Sequence, residues 1–262
     1  MNSGNSSFFV IYTIDSIASI TILCFDIFFS RILIYIIPLC PIITPFFYES
    51  SIIAKISLFV PNYMKAMKAV TQIFMSINRM CCVLYPLNYT QKWKYYMKPI
   101  IFIITLSPNL VTWNLLISRP YLVQSFGGFA FSYLKKVSWA KLSTFHLTFV
   151  TISMFFTFIC TTVTLFKLIM LPERIKRTEK TLCIATIIIS IGFTAVAINQ
   201  FMWAFCAQCQ TSGLLYSVQF LCYDLVNIGS PIVIILISRD LRRNIFKKQS
   251  SISIVRMVTS QF

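Results

Sequence analysis

TLCIATIIISIGFTAVAINQFMWAFC, residues 181–206, runs without a single charged side chain. A helix needs roughly 20 apolar residues to cross the hydrocarbon layer of a bilayer. Inside that layer a helix satisfies its own backbone hydrogen bonds, which an irregular segment exposed to lipid cannot do. A second run, LLYSVQFLCYDLVNIGSPIVIILI at 214–237, carries only Asp224. The rest of the chain agrees with these two stretches. Hydrophobic residues make up 57% of it and charged residues 11%, whereas a soluble domain carries about a quarter charged residues. The fold class that follows is all-α, a polytopic transmembrane helix bundle.

Six spans are expected, at about 8–29, 56–83, 97–118, 142–166, 182–206 and 214–237, within one transmembrane domain covering 1–262 with a tail at 238–262. Ile32–Tyr48 is also apolar, but Pro38, Pro41 and Pro45 interrupt it. Each interior proline removes a backbone hydrogen bond and clashes with the preceding turn, at about 3 kcal/mol. Only Ser30 and Arg31 would remain to turn the chain before it, so an outer loop folded over the bundle is expected there rather than a seventh span.

The basic residues orient the bundle. Arg79, Lys92, Lys94 and Lys98 lie around the second connection, and Lys167, Arg174, Lys176, Arg177 and Lys180 in the fourth. Arg239, Arg242, Arg243, Lys247, Lys248 and Arg256 are in the tail. Arg31, Lys55, Arg119, Lys135, Lys136 and Lys141 are left for the opposite side. Cytoplasmic loops carry the excess of Lys and Arg, so the tail is expected in the cytoplasm. Six spans then place Met1 there too, and the sequon Asn5-Ser6-Ser7 is expected to stay unmodified. The net charge of +16 is accounted for by these orientation signals and by anionic lipid, so no nucleic-acid partner is expected. The tail segment Leu241–Lys248 suits a short amphipathic helix on the inner leaflet.

Catalysis and metal binding find little in this chain. His146 is the only histidine, and Cys206-Ala207-Gln208-Cys209 has no second pair to complete the four ligands of a closed zinc site. No cofactor and no enzymatic activity are expected. Cys24, Cys81, Cys82, Cys160, Cys183 and Cys222 sit in apolar runs as small core residues. Cys40, Cys206 and Cys209 lie on the outer side, where two of them are candidates for a disulfide.

The second span is the least apolar, holding Pro61, Asn62, Lys65, Lys68, Thr71, Gln72 and Ser76. Ionisable groups at bilayer depth face protein or a water-filled cavity, so this span is expected at the centre of the bundle. Lys65, Lys68 and Gln72 are the candidate ligand pocket, with the lysines placed to attract an anionic group or to pair with a carboxylate. The competing reading for Lys65 is snorkelling to the outer interface. Asp15 and Asp224 are too deep to reach water, and with Lys68 they form a candidate intramembrane polar network. Gly229-Ser230-Pro231 marks a hinge or a fixed bend in the last span. Asn78-Arg79-Met80, where the central span ends, is a candidate intracellular coupling site together with Arg174 and Arg177.

Several short motifs occur in one order: Ile14-Asp15, Pro38-Leu39-Cys40-Pro41, Ser76-Ile77-Asn78-Arg79-Met80, Leu84-Tyr85-Pro86, Lys92-Trp93, Trp113-Asn114, Gly127-Gly128-Phe129, Leu182-Cys183-Ile184-Ala185-Thr186 and Gly229-Ser230-Pro231. In these the chain resembles the nematode serpentine receptors of class gamma, seven-helix chemosensory receptors. The resemblance implies a signalling receptor for an unknown small molecule, of the rhodopsin-like type, in the plasma membrane of sensory cells. It also implies an intracellular G protein as partner. It aligns the first span here with the family's second, so the family's first span is expected to be missing. A receptor fragment without function is the alternative reading, and a transporter or channel ranks below it because no internal repeat is visible.

Overall fold

A computed structural model of the protein describes residues 5–39, 41–42, 45, 52–85, 88–125, 128–170, 173–206, 208 and 213–237. Helix α1 (Asn5–Asp26) does not end before Ser30, as the sequence suggests. It passes through a π turn (Ile27–Arg31) into α2 (Ile32–Tyr35), and together they form one apolar rod from Phe8 to Tyr35. The Ile32 N–H reaches back to the Ile27 carbonyl, the wider spacing of a π turn. Helical geometry stops at Ile36 (φ −98°, ψ 74°), and a 3-10 turn (Ile37–Leu39) holds Pro38, which can give no N–H to a continuing helix. Most of the rest of the expected outer loop, including Cys40, lies outside the described residues.

Helix α3 (Ile52–Leu84) is long and has Pro61 inside it. It packs against α1, against α4 (Tyr89–Leu106), against α5 (Asn109–Ile117) and against α6 (Leu142–Ile169), so it is the central element its polar composition predicts. Buried Lys68, Thr71, Gln72, Ser76, Asn78 and Arg79 all lie on it. Helices α4 and α5 form one bent rod broken at Ser107-Pro108, and the Thr112 hydroxyl and N–H both return to the Pro108 carbonyl at 3.1 and 3.2 Å. Helices α7 (Glu173–Phe205) and α8 (Gly213–Ile237) complete the bundle.

Among the described residues four rods are long and apolar enough to cross a membrane: Phe8–Tyr35, Gln91–Ile117, Leu142–Lys167 and Ile187–Phe205. Their outward faces carry large apolar side chains such as Phe102, Phe155, Phe158, Ile191 and Phe201, a surface suited to lipid rather than water. One core joins α1, α3 and α4 through Ile11, Met67, Val70, Met75, Trp93 and Ile104. A second joins α3, α6, α7 and α8 through Ala69, Val150, Phe193, Val196, Tyr223 and Val226.

The connection between α5 and α6, which hydropathy leaves as a loop, folds into an antiparallel hairpin of β1 (Arg119–Ser125) and β2 (Gly128–Leu134). Aromatic residues at every second position of β2, Phe129, Phe131 and Tyr133, are the local cause, since such period-2 runs favour strands. The hairpin lies on the bundle. Ala130 packs with Ile34 and Phe220, and Gly128 comes so close to α2 that a Cβ there would clash with the Leu33 carbonyl oxygen and lie 2.7 Å from that of Ile34.

Candidate functional site

Two lysines one helical turn apart on α3 serve different ends. Lys68 is enclosed: its Nζ lies 3.1 Å from Asp15 Oδ2 and donates to Ser19 Oγ at 2.5 Å. The Ser19 hydroxyl in turn donates to the Asp15 backbone carbonyl at 2.9 Å, and Thr71 donates to Asp15 Oδ1 at 3.1 Å. A buried ion pair is tolerated where further hydrogen bonds support both partners, and here Ser19 supports the ammonium and Thr71 the carboxylate. Lys65 points the other way along the bundle. Its Nζ is 3.6 Å from Asp26 Oδ1 and 4.3 Å from the centre of the Tyr223 ring.

Lys65 also stands in the wall of a cavity of about 400 Å³ among α3, α6, α7, α8 and the hairpin. Phe131, Tyr133, Trp203, Tyr216 and Tyr223 supply its aromatic walls, with Lys135, Lys141, His146 and Gln200 as further polar groups. A side cavity of about 130 Å³ shares Lys65 and Asn62 with it and opens toward Asp26 and Ser30. Of the three pocket residues read from the sequence, only Lys65 lines this space. Lys68 and Gln72 are buried in the bundle at 3% exposure each and face other helices.

The roof is anchored at its far end. Tyr133 on β2 accepts a hydrogen bond from the Leu142 N–H at 3.1 Å, at the start of α6. Burial pushes its phenol above the ordinary value, and that hydrogen bond works in the opposite direction. Asn114 on α5 donates to the Ala140 carbonyl at 2.7 Å and holds the link between β2 and α6.

Asp224 does not join Asp15 and Lys68. Its Oδ1 accepts from Arg31 Nη2 at 2.5 Å, and the Arg31 guanidinium lies 5.0 Å from the centre of the Phe220 ring. The π turn is the reason, since it carries the rod on to Arg31 instead of turning the chain away, and so presents that side chain to α8. The expected network of Asp15, Lys68 and Asp224 is therefore two separate pairs, with Lys65–Asp26 as a third.

At the opposite end of α3, Asn78 Oδ1 accepts from the Tyr89 hydroxyl at 2.8 Å, and the Arg79 guanidinium stacks 4.4 Å from the centre of the Phe8 ring. Met80 is half-buried beside them. Arg174 and Arg177 belong to the first turns of α7, and their side chains lie outside the described residues. Cys206 is in a disulfide. Cys24, Cys81, Cys82, Cys160 and Cys222 are free, and Cys40 and Cys209 lie outside the described residues. No group of three His, Cys, Asp or Glu among the described residues is placed to hold a metal ion.

Sequence reasoning missed most of the cavity wall because five elements contribute to it. Isolated polar residues in apolar runs were the available signal. His146, Gln200 and Gln219 each interrupt one, and each lines the cavity.

A lipid-faced helical bundle with an ion-paired interior and a roofed polar cavity at one end has the form of a membrane receptor. The comparisons agree. The family model of the Srg family chemoreceptors matches residues 2–245. Serpentine receptor class gamma-15 of Caenorhabditis elegans is 44% identical over 238 residues, covering 90% of this chain and 74% of that protein. Serpentine receptor class gamma-5 of the same organism is 43% identical over 93% of this chain and 76% of its own length, and class gamma-16 is 41% identical over 90% and 73%. This chain belongs to the Srg family of chemoreceptors.

Proposed function

We propose that the chain binds a small molecule in the cavity beneath the hairpin and signals through α3 to an intracellular G protein at the Arg79 end. The plasma membrane of a sensory cell is the setting, with the C-terminal tail in the cytoplasm. The observation that carries this reading is the position of the two sites on one helix. Lys65 lines the cavity, and Asn78 and Arg79 lie on the same helix four turns further on, near its end. The excess of basic residues in the loops of the Arg79 end supports its placement inside. The disulfide at Cys206 supports the hairpin end facing an oxidising compartment.

A ligand shifts such a bundle only by binding one packing better than another. The Lys65–Asp26 pair is suited to report occupancy, because it borders the cavity and joins α3 to α1. The direct test is expression of the chain in cultured cells with a reporter of G-protein dissociation, challenged with a small-molecule library. Ligand-dependent dissociation is expected. Compounds that bind the purified protein without moving any G-protein reporter would contradict the reading.

A further inference from the structure

Four observations in the cavity wall bear on what it holds. Lys65, Lys135, Lys141 and His146 all line it, and no carboxylate does among the described residues. The Lys65 side chain is only 9% exposed, yet its ammonium donates no hydrogen bond among the described residues. At 3.6 Å its contact with Asp26 is longer than the roughly 2.7–2.9 Å of a charge-assisted hydrogen bond. His146, 4% exposed, has its Nε2 without a partner among the described residues. Lys68, one turn away, donates to two partners, Asp15 and Ser19, by comparison.

An ammonium has three donors and no acceptor, and a buried one is unfavourable unless it is paired and hydrogen-bonded. The Lys65 donors are therefore open beside a space of about 400 Å³, within the roughly 300–1,000 Å³ of small-molecule sites. We propose that the cavity binds small organic carboxylates with an apolar or aromatic body, and that Asp26 is an internal competitor that occupies Lys65 until the ligand arrives. The ligand carboxylate takes the Lys65 donors and a hydrogen bond from His146, with Lys141 at the hairpin side. The body of the ligand lies against Tyr133, Trp203 and Tyr216. Displacement of Asp26 loosens one of the three ion pairs that, among the described residues, tie the Phe8–Tyr35 rod to its neighbours. This rests on the cavity being the ligand site, as proposed above.

The test uses the full chain purified in nanodiscs of neutral phosphatidylcholine at fixed salt. The probes are octanoate and 3-phenylpropanoate, each beside its primary amide, with Kd measured by isothermal titration. At least one acid is expected to bind roughly tenfold or more tightly than its amide. Lys141→Gln narrows that ratio, and Lys65→Met abolishes it. Asp26→Asn removes the competitor, and the acid is expected to bind about three- to tenfold more tightly. This last variant keeps the proposal testable if Lys65→Met fails to fold.

Equal binding of acid and amide, or no binding of either acid, overturns the carboxylate site. An unchanged Kd in Asp26→Asn overturns the competitor role. A carboxylate that binds as described but moves no G-protein reporter removes the receptor reading and leaves this site standing. A signalling response to neutral compounds through the same cavity does the reverse.

Discussion

Lys68 and Asp15 face each other at 3.1 Å in the middle of the bundle, with side chains 4% and 5% exposed. Removing one partner of such a pair leaves a buried charge without compensation, at about 3–5 kcal/mol. Lys68→Met is expected to lower the unfolding midpoint in detergent sharply, and Asp15→Asn with Lys68→Met to recover most of the loss. A single variant as stable as the parent would show that the pair contributes little. The effect is on folding rather than on ligand contact, because Lys68 does not line the cavity.

The Arg31–Asp224 pair is a contrasting case. Both side chains are 28% exposed, and partly solvated pairs contribute only about 0–1 kcal/mol. Arg31→Gln is expected to shift the unfolding midpoint slightly. It should also lower the protection of the Ile27–Arg31 turn from hydrogen exchange. A loss as large as that of Lys68→Met would mean that the π turn itself depends on this contact.

Gly128 allows the hairpin to lie against α2. An alanine Cβ would meet the Leu33 and Ile34 carbonyl oxygens, and backbone cannot yield as the end of a flexible side chain can. Gly128→Ala is expected to lift the hairpin, at about 1–3 kcal/mol, and to raise proteolysis between β1 and β2. Ligand affinity should fall with it, because Phe131 and Tyr133 leave the cavity wall. Unchanged proteolysis would show that the contact is looser than described.

Phe8 and Arg79 stack at one end of the bundle, so the start of α1 and the end of α3 share a side of the membrane. With the Arg79 end inside, Asn5 never meets the glycosylation machinery. Expression in insect cells followed by endoglycosidase treatment is expected to leave the mobility of the chain unchanged. A mobility shift that Asn5→Gln abolishes would reverse the orientation.

The sequence carried the fold further than the site. Uncharged runs such as 181–206 mark membrane helices directly, because the bilayer excludes charge. The polar residues of 61–76 mark α3 as central for the same reason. Depth also made a partner for Lys68 and for Asp15 necessary, and each is the other's. Asp224 needed one too, but Arg31 was not legible as that partner, because only the π turn brings it to α8. The hairpin was written in β-type alternation, which hydropathy over long windows averages away. The cavity depends on how five elements meet, and no single stretch of sequence records that.

Concentration–response curves for a carboxylate agonist in one reporter assay, with parent, Lys65→Met and Arg79→Ala chains at matched surface levels, test the central claim most directly. Lys65→Met is expected to move the half-maximal concentration up by roughly tenfold or more. Arg79→Ala is expected to leave that concentration nearly in place and to reduce the maximal response. A Lys65→Met curve superimposed on the parent would contradict the account, because the cavity beneath the hairpin would then not be where the signal begins.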